Sequence, residues 1–386
     1  MKICLIGSSK VFFSGISAHT IFHANAFAEL GHDVSVILLR NLAPRFLYPG
    51  KKRLGKNDCV VDYSSKVKVY NGLDWNSPAT WMGAVRFLQC ERPDAVIMLW
   101  WTSSVIHMQL LLALALRTAG RPPLILEMHE VLDPHEEKYM PLRLYSRLGG
   151  RCLMNLCKVF TVHSGDVRES VKKTYGLPPD NVTVIPFGVY DSYTDHDRSG
   201  ARQELNFNKF VILHFGMIRK YKGISLLVKA FDMLPPEIAL NSQLVIAGED
   251  WGDDRDLAAM VKGSRYSSSI LYRPEFVPDP LVPKYFSAAD VIVLPYLRSC
   301  GSGVVHLALA QGKPVLTSDL PVMRECLKGY EGAGFFPVGD AEALQKKIIG
   351  AYRRWRHGEL KDFVNSGATW HDVARKYMQI IEGLAV

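Results

Sequence analysis

Short apolar runs alternate with helical patterns through the first half of the chain. Between the first two runs, residues 19–30 have apolar positions at helical spacing and end at Gly31-His32. This alternation is typical of βαβ units, which build a parallel sheet with helices on both faces. The predicted strands of this half are residues 2–6, 33–38, 95–99, 124–126 and 159–162.

The same alternation starts again after residues 186–206, which have the composition of a linker. An amphipathic helix is predicted over residues 224–234 and ends at Pro235-Pro236. The sequence therefore predicts two successive α/β sheets, and such sheets bind ligands beyond the carboxyl ends of their strands. The predicted strands of this half are residues 210–214, 244–247, 269–272, 291–294 and 314–317.

The composition fits two domains of ordinary size. Of the 386 residues, 48% are hydrophobic and 22% are charged, which excludes a disordered, collagen-like or coiled-coil protein. The seven cysteines lack the spacing of a metal site and indicate reduced thiols. No export signal is apparent, nor any stretch of the ~20 apolar residues that cross a bilayer. We therefore expect a cytoplasmic protein.

Positive charge is concentrated in the first half. Residues 1–180 hold 22 basic and 15 acidic side chains, whereas the remaining residues hold 24 and 23. Residues 45–53 mix basic and aromatic side chains, and Arg143, Arg147 and Arg151 lie at helical spacing. Such surfaces are typical of proteins on an anionic membrane, although a solvated basic face has the same pattern. The chain has no recognisable nucleic-acid-binding module, so we expect no nucleic-acid partner.

The loop after the first predicted strand of the second half is strongly basic. It contains Arg219, Lys220 and Lys222 and leads directly into a helix. Cations at a helix N-terminus are typical of a phosphate site, because backbone N–H groups and the helix dipole also face the anion. A solvated basic turn is the alternative interpretation.

Three further loops carry candidate residues. Ser302 and Gly303 precede a helix, where a ligand can approach the backbone, and His306 is either a packed helix residue or a ligand. His129 follows a buried strand and is either a substrate-binding or a structural histidine. The residues around it match no zinc spacing, so no metal is expected. The first loop contains Gly15 but no G-x-G-x-x-G, which disfavours a dinucleotide dehydrogenase.

Taken in order, these loops resemble those of the retaining glycosyltransferases of family 4, which have the two-domain GT-B fold. The similarity covers nearly the whole chain, and the order and spacing of the motifs carry it rather than any single motif. Besides the basic loop at 215–223, the motifs are AELGHDV at 28–34, IPFGV at 185–189, VIAGE at 245–249, AADVIVLP at 288–295 and ALAQGKPV at 308–315.

The resemblance implies an α/β protein with two Rossmann-like, doubly wound parallel-sheet domains that face a central cleft. The first domain, residues 1–188, would bind the acceptor and would be completed by a C-terminal helix at 368–386 that crosses back to it. The second domain, residues 189–367, would bind a nucleotide-sugar. The expected location is cytoplasmic, at the inner face of the membrane.

The resemblance also implies an activity and the roles of individual residues. The expected enzyme is a hexosyltransferase that moves a sugar from a UDP- or GDP-sugar to a lipid-linked or glycan acceptor, with retention of configuration and without metal or cofactor. His129, which touches the sugar, and Arg219 and Lys222, which neutralise the diphosphate, would be catalytic. Further donor-binding residues would be Gly15, Gly216, Glu249, Phe276, Val277, Arg298, Ser302, Gly303 and His306.

One departure from the family pattern concerns two acidic positions. Many members carry Glu-x7-Glu before the ALAQG motif, where this chain has Ser299 and Leu307. We therefore expect altered donor contacts, with Glu249 as a substitute carboxylate. Two alternatives stay open at this point: a non-catalytic partner subunit, and a GT-B nucleotide-sugar epimerase or phosphorylase.

Overall fold

The computed structural model describes residues 1–12, 15–42, 60–118, 120–130, 140–195, 197–364 and 367–384. The chain divides into two compact units. The first comprises Met1–Gly188 together with Ala368–Val386, and the second comprises Val189–Gly367. Each unit is built on one parallel sheet, as the alternating pattern predicts. The basic and aromatic residues at 45–53 lie outside the described residues.

The first unit contains a seven-stranded sheet in the order β3-β2-β1-β4-β5-β6-β7, with all neighbouring strands parallel. Its central strands are buried on both faces, which explains why they are continuous apolar runs in the sequence. The strands are β1 Lys2–Ser8, β2 Asp33–Asn41, β3 Lys68–Asp74, β4 Ala95–Trp100, β5 Leu124–Met128, β6 Val159–Val162 and β7 Val182–Val184.

Six helices in the described residues belong to the first unit. The last of them comes from the far end of the chain and buries residues at spacings of three and four along one face. Its Trp370 stacks on Phe22 of the first helix, with ring centroids 5.6 Å apart. The helices are α1 Gly15–Glu29, α2 Pro78–Glu91, α3 Ile106–Ala115, α4 Met140–Met154, α5 Gly165–Tyr175 and α14 Trp370–Leu384.

The second unit contains a six-stranded parallel sheet in the order β10-β9-β8-β11-β12-β13. Three fully buried phenylalanines, Phe210, Phe231 and Phe336, join this sheet to its helices in one core. The strands are β8 Phe210–Phe215, β9 Ser242–Ala247, β10 Ile270–Arg273, β11 Val291–Leu294, β12 Val315–Ser318 and β13 Ala333–Phe336.

Eight helices in the described residues surround the second sheet. Proline lies in the first turn of three of them, where its missing N–H has no helical partner to lose. The helices are α6 Arg198–Leu205, α7 Ile224–Asp232, α8 Pro236–Leu240, α9 Leu257–Gly263, α10 Val282–Ala288, α11 Gly303–Ala310, α12 Pro321–Cys326 and α13 Ala341–Arg356.

All ten predicted strands are present, and β3, β7 and β13 are additional. In each sheet the strand order reverses at a central pair, β1 and β4 in the first unit and β8 and β11 in the second. Ligands of doubly wound sheets bind at this switch point. Among the described residues, no helix combines the length and apolar character that a membrane span requires.

Candidate functional site

The loops after β8 and β9 approach each other closely at the carboxyl edge of the second sheet. Gly216 has a φ of +106° and Gly248 a φ of +152°, values that favour glycine. A Cβ on Gly248 would lie 1.9 Å from the carbonyl oxygen of Gly216. The predicted donor residue Gly216 therefore lies at a close contact between the two loops, beside the switch point.

Arg219 in the loop after β8 is oriented by side chains from the loop after β9. Its Nε donates to Oδ2 of Asp253 over 2.6 Å, and its guanidinium carbon lies 5.0 Å from the ring centroid of Trp251. In the described part of the chain, its terminal N–H groups donate to no protein atom. A guanidinium held in this way presents those groups to an anion, as the predicted role requires.

Lys222 is buried, and its ammonium nitrogen lies 3.9 Å from the ring centroid of Tyr296 and 5.2 Å from that of Tyr221. The ring faces stabilise the cation through their quadrupoles. The Tyr296 hydroxyl lies 3.1 Å from Oγ of Ser302, so it links the cation to the residue that precedes α11. Burial raises the pKa of Tyr296, so its phenol stays protonated.

The loop after β11 contributes a third cation, Arg298, and the N-terminus of α11 to the same edge of the sheet. The guanidinium carbon of Arg298 lies 5.8 Å from the ring centroid of Tyr221, and that of Arg219 lies 5.7 Å from the same centroid. The Ser302 side chain makes no capping hydrogen bond to α11, which begins at Gly303. The structure thus brings three predicted cations and the predicted helix N-terminus to one edge of the second sheet.

Positions 299 and 307, where many family members have glutamates, hold no carboxylate here. The Ser299 hydroxyl donates to the carbonyl of Gly301 over 2.9 Å and accepts from its N–H over 3.2 Å, so it shapes the turn. Leu307 is half-buried in α11. His306 is buried in the same helix, with its ring centroid 6.4 Å from that of Tyr190. A donor contact by His306 stays a prediction.

The remaining predicted donor residues of the second unit follow β9 and β10. Glu249 Oε2 accepts a hydrogen bond from Nε1 of Trp251 over 3.2 Å, so this carboxylate positions the ring that packs on Arg219. Phe276 is 37% exposed, whereas Val277 is buried. Their contacts with a nucleotide base, like a contact of Glu249 with the sugar, stay predictions.

In the first unit, five ionisable side chains meet at the carboxyl ends of β5 and β6. Glu127 lies in β5, His129 and His163 directly follow β5 and β6, and His19 and His23 come from α1. We call these five residues the histidine cluster. All are buried, and Glu127 is at the centre.

The shortest contact in the histidine cluster joins His19 to Glu127, with 2.7 Å between Nε2 and Oε1. The Nε2 atoms of His129 and His163 lie 3.7 and 3.6 Å from the same oxygen. Nδ1 of His23 lies 3.6 Å from the other carboxylate oxygen. The cluster is therefore a carboxylate surrounded by imidazoles.

The electrostatics of the cluster favour an ionised Glu127 carboxylate and neutral rings of His129 and His163. Burial opposes ionisation of Glu127, but the charge and hydrogen bond of His19 and the contact with His23 outweigh it and hold the pKa of Glu127 well below its usual value. Burial, together with the charges of neighbouring histidines, holds the pKa of His129 well below its usual value and lowers that of His163 to about 4.

Sequence reasoning found His129 but missed the other three histidines. Two signals were available. His19 and His23 are four residues apart in a helix, which places them on one face, and His129 and His163 both directly follow a buried strand of one parallel sheet. The rest of the loop after His129, residues 131–139, lies outside the described residues.

Gly15 is the first residue of α1, four positions before His19. A Cβ at this position would meet no atom of the described residues within 4 Å. The space around Gly15 suits the approach of a ligand to the backbone, and its contact with a donor stays a prediction.

Two family models match the chain and together cover most of it. The model of "Glycosyltransferase Family 4" matches residues 13–193, and that of "Glycosyl transferases group 1" matches residues 209–354. The chain belongs to the GT-B glycosyltransferases of family 4. The prediction from the loop motifs is thereby confirmed for the family.

Curated relatives of this glycosyltransferase match over part of their length. An uncharacterised glycosyltransferase of Methanocaldococcus jannaschii is 30% identical over 241 residues, 58% of this chain and 59% of the relative. A GDP-mannose:glycolipid 4-beta-D-mannosyltransferase of Xanthomonas campestris is 32% identical over 108 residues, 27% of this chain and 29% of the relative. The chain thus spans less than two thirds of the length of these relatives.

Solved structures match this glycosyltransferase along the whole chain. Anabaena HepE in complex with UDP-glucose has a TM-score of 0.70 at 19% identity, over 100% of this chain and 99% of that one. Sucrose-phosphate synthase from Thermosynechococcus elongatus has a TM-score of 0.72 at 15% identity, with the same coverage. These similarities confirm the predicted fold class, two Rossmann-like parallel-sheet domains of GT-B type.

Proposed function

We propose that this protein transfers a hexose from a nucleotide-diphosphate sugar to a lipid-linked or glycan acceptor, with retention of configuration. The observation that carries the proposal is the set of three cations around Tyr221 at the switch point of the second sheet: Arg219, Lys222 and Arg298. The relatives support this donor class, because one uses GDP-mannose and HepE is seen with UDP-glucose.

The cations act on the leaving group. A nucleoside diphosphate gains negative charge as the bond to the sugar breaks, and preorganised positive groups lower the energy of that state. Arg219 presents terminal N–H groups, Lys222 presents a point charge held by two rings, and α11 presents its first N–H groups. In this proposal the diphosphate needs no metal ion, and His129 contacts the transferred sugar.

The acceptor side of the proposal rests on α4 in the first unit. Met140, Leu144 and Leu148 are 84%, 59% and 57% exposed at successive helical turns. Arg147 and Arg151 are exposed beside them. An exposed apolar stripe flanked by arginines suits a helix that lies on an anionic membrane. A lipid-linked acceptor at the inner membrane face fits this surface, and the glycolipid named for the Xanthomonas relative is of the same class.

A thermal-shift series with UDP-, GDP- and ADP-sugars tests the donor site. We expect one nucleotide class to raise the Tm, with affinity reduced at least about tenfold in Arg219→Ala and Lys222→Ala, because each loses a charge-assisted contact. Lys220→Ala is the matched control, since this neighbouring lysine is exposed. Equal affinity in wild type and Arg219→Ala would show that the cations do not bind the donor.

A non-catalytic partner subunit is the second candidate function. It is favoured by one observation, the absence of carboxylates at Ser299 and Leu307, the positions where many family members have glutamates. The same series, with release of the nucleoside diphosphate measured for any nucleotide-sugar that binds, separates the two candidates. A nucleotide-sugar that binds and is slowly hydrolysed supports a transferase, whereas no response to any nucleotide-sugar supports the subunit.

A further inference from the structure

Within the described residues, the histidine cluster makes fewer hydrogen bonds than buried polar groups normally do. Seven of its buried nitrogen and oxygen atoms have no hydrogen-bond partner there, among them both ring nitrogens of His23 and of His129, Nε2 of His163 and Oε2 of Glu127. Native proteins satisfy nearly all such atoms, because a buried polar atom without a hydrogen bond destabilises the folded state. These nitrogen and oxygen atoms are therefore available as ligands.

The orientation of His163 shows which of its nitrogens is available. Nδ1 lies 3.0 Å from the carbonyl oxygen of Ile185, so the neutral ring donates its proton there. Its Nε2 lone pair then faces Oε1 of Glu127 across 3.6 Å. A lone pair and a carboxylate oxygen repel each other at this distance unless a cation lies between them.

The spacing of the facing atoms suits a coordinated metal ion. With metal–nitrogen bonds of zinc length, adjacent ligand atoms of a tetrahedral site lie about 3.3 Å apart. Nε2 of His129 and of His163 lie 3.7 and 3.6 Å from Oε1 of Glu127. All three ligand atoms fall within 4.8 Å of one another. A shift of a few tenths of an ångström brings the measured pairs to coordination distance.

We propose that Glu127, His129 and His163 bind a divalent metal ion of the zinc class. Imidazole and carboxylate together are the donor set of zinc and its neighbours in the first transition row. The Ile185 carbonyl orients His163, and His19 donates to the ligating carboxylate over 2.7 Å, as outer hydrogen bonds do in metal sites. The ion occupies the first unit, whereas the cations proposed for the diphosphate belong to the second.

The site has three protein ligands and one open position. With Nε2 of His129 on the metal, any direct contact of His129 with a sugar uses the other side of its ring. A sugar that contacts the metal instead does so at the open position. The inference itself does not depend on the proposed function, because its test reads metal content and not glycosyl transfer.

Metal content of the full chain tests the site. The protein is expressed without a histidine tag in medium supplemented with Zn2+ or with Co2+, so that the metal is present while the buried site forms, and is then gel-filtered with EDTA. We expect about one equivalent of metal per chain in wild type and less than about a tenth in His129→Gln and His163→Gln. His371→Gln is the matched control, since it removes a histidine that pairs with Glu29 over 2.9 Å at the surface.

A second measurement keeps the test valid if a variant fails to fold. Co2+ in wild type should show the intense visible bands of four- or five-coordinate nitrogen and oxygen ligation. Wild type that retains no metal after either expression would overturn the proposal. Full metal content in both folded glutamine variants would equally overturn it, because the ion would then be bound elsewhere.

Discussion

Arg219 and Lys222, the two cations proposed to bind the donor diphosphate, make different contacts in the structure. Arg219 is paired with the partly exposed Asp253 carboxylate, whereas Lys222 is buried against the rings of Tyr221 and Tyr296. An incoming diphosphate therefore competes with the Asp253 carboxylate for Arg219. The contacts shown place Arg219 beside a carboxylate and Lys222 against two aromatic rings.

At the residue scale, His214 in β8 makes the stability of the second unit depend on pH. Its Nδ1 donates to the carbonyl of Val293 over 2.9 Å, and burial lowers the pKa of His214 from 6.5 to about 4. Between those values the unfolded chain binds a proton that the folded chain does not. Stability therefore falls as the pH falls through this window, and we expect His214 to contribute up to about 3 kcal/mol of the loss.

Urea unfolding of wild type and His214→Asn from pH 7 to pH 4 measures this contribution. Asparagine keeps a side-chain N–H donor but does not titrate, so the variant should lose less stability than wild type across the window. If the free energy of unfolding fell equally with pH in the two proteins, His214 would not contribute to the pH dependence of stability.

At the scale of elements, the turn into α7 requires glycine at one position. Gly223 has a φ of +67°, and a Cβ there would lie 1.9 Å from the carbonyl oxygen of Pro295. Gly252 has a similar φ of +73°, but no atom of the described part of the chain lies within 4 Å of its Cβ position. Gly252→Ala should cost the left-handed strain alone, about 1–2 kcal/mol. Gly223→Ala should cost at least about 2 kcal/mol more, because the turn must move away from β11.

The free energies of unfolding of the two alanine variants, measured in the same denaturant, check this difference. The displaced turn carries Lys222, so Gly223→Ala should also weaken donor binding while Gly252→Ala leaves it unchanged. Equal destabilisation by both substitutions would show that the turn adapts to the added methyl group.

The element α4 carries the prediction for membranes. Its inner face packs closely on α3 at Gly149, where a Cβ would lie 2.5 Å from the Ile106 side chain. Its outer face exposes Leu144 and Leu148. We expect wild type to bind vesicles that contain anionic lipid, less strongly as salt rises, and the double variant Leu144→Glu/Leu148→Glu to bind at least about tenfold more weakly.

Vesicle co-sedimentation at low and high salt checks this expectation. Leu240→Glu is a matched control, because Leu240 is 53% exposed but lies in the second unit. Binding of the double variant at the wild-type level would exclude α4 as the membrane-contacting element.

The three strands that the sequence did not predict share one property: each is at the edge of a sheet, although the fourth edge strand, β10, was predicted. The edge strands β3, β7 and β13 are short or half-exposed, with few fully buried positions. An edge strand has a neighbour on one side only and lacks the continuous apolar run of a central strand. The interior strands were predictable because burial on both faces leaves that run in the sequence.

At the scale of the molecule, the fold and the proximity of the second-unit loops were predictable, whereas of the four clustered histidines only His129 was singled out. The basic loop and the loop before α11 each keep their chemistry within a few consecutive residues, and the switch-point rule brings them together. The histidine cluster combines α1, β5 and the end of β6, separated by more than 100 residues between His19 and Glu127. The pairing of β5 with β6 brings Glu127, His129 and His163 together, and the packing of α1 on the sheet adds His19 and His23.

The helix α14 belongs to the first unit although the entire second unit precedes it in the chain. Its Trp370 and Tyr377 pack on His19 and His23, with ring centroids 4.8 and 4.6 Å apart. During synthesis on the ribosome, the first 188 residues therefore emerge without the surface that closes their core, and the second unit can be complete first. The first unit begins synthesis before the second but can complete its core only after α14 has emerged. Chaperones can bind the incomplete first unit while the second unit is being synthesised.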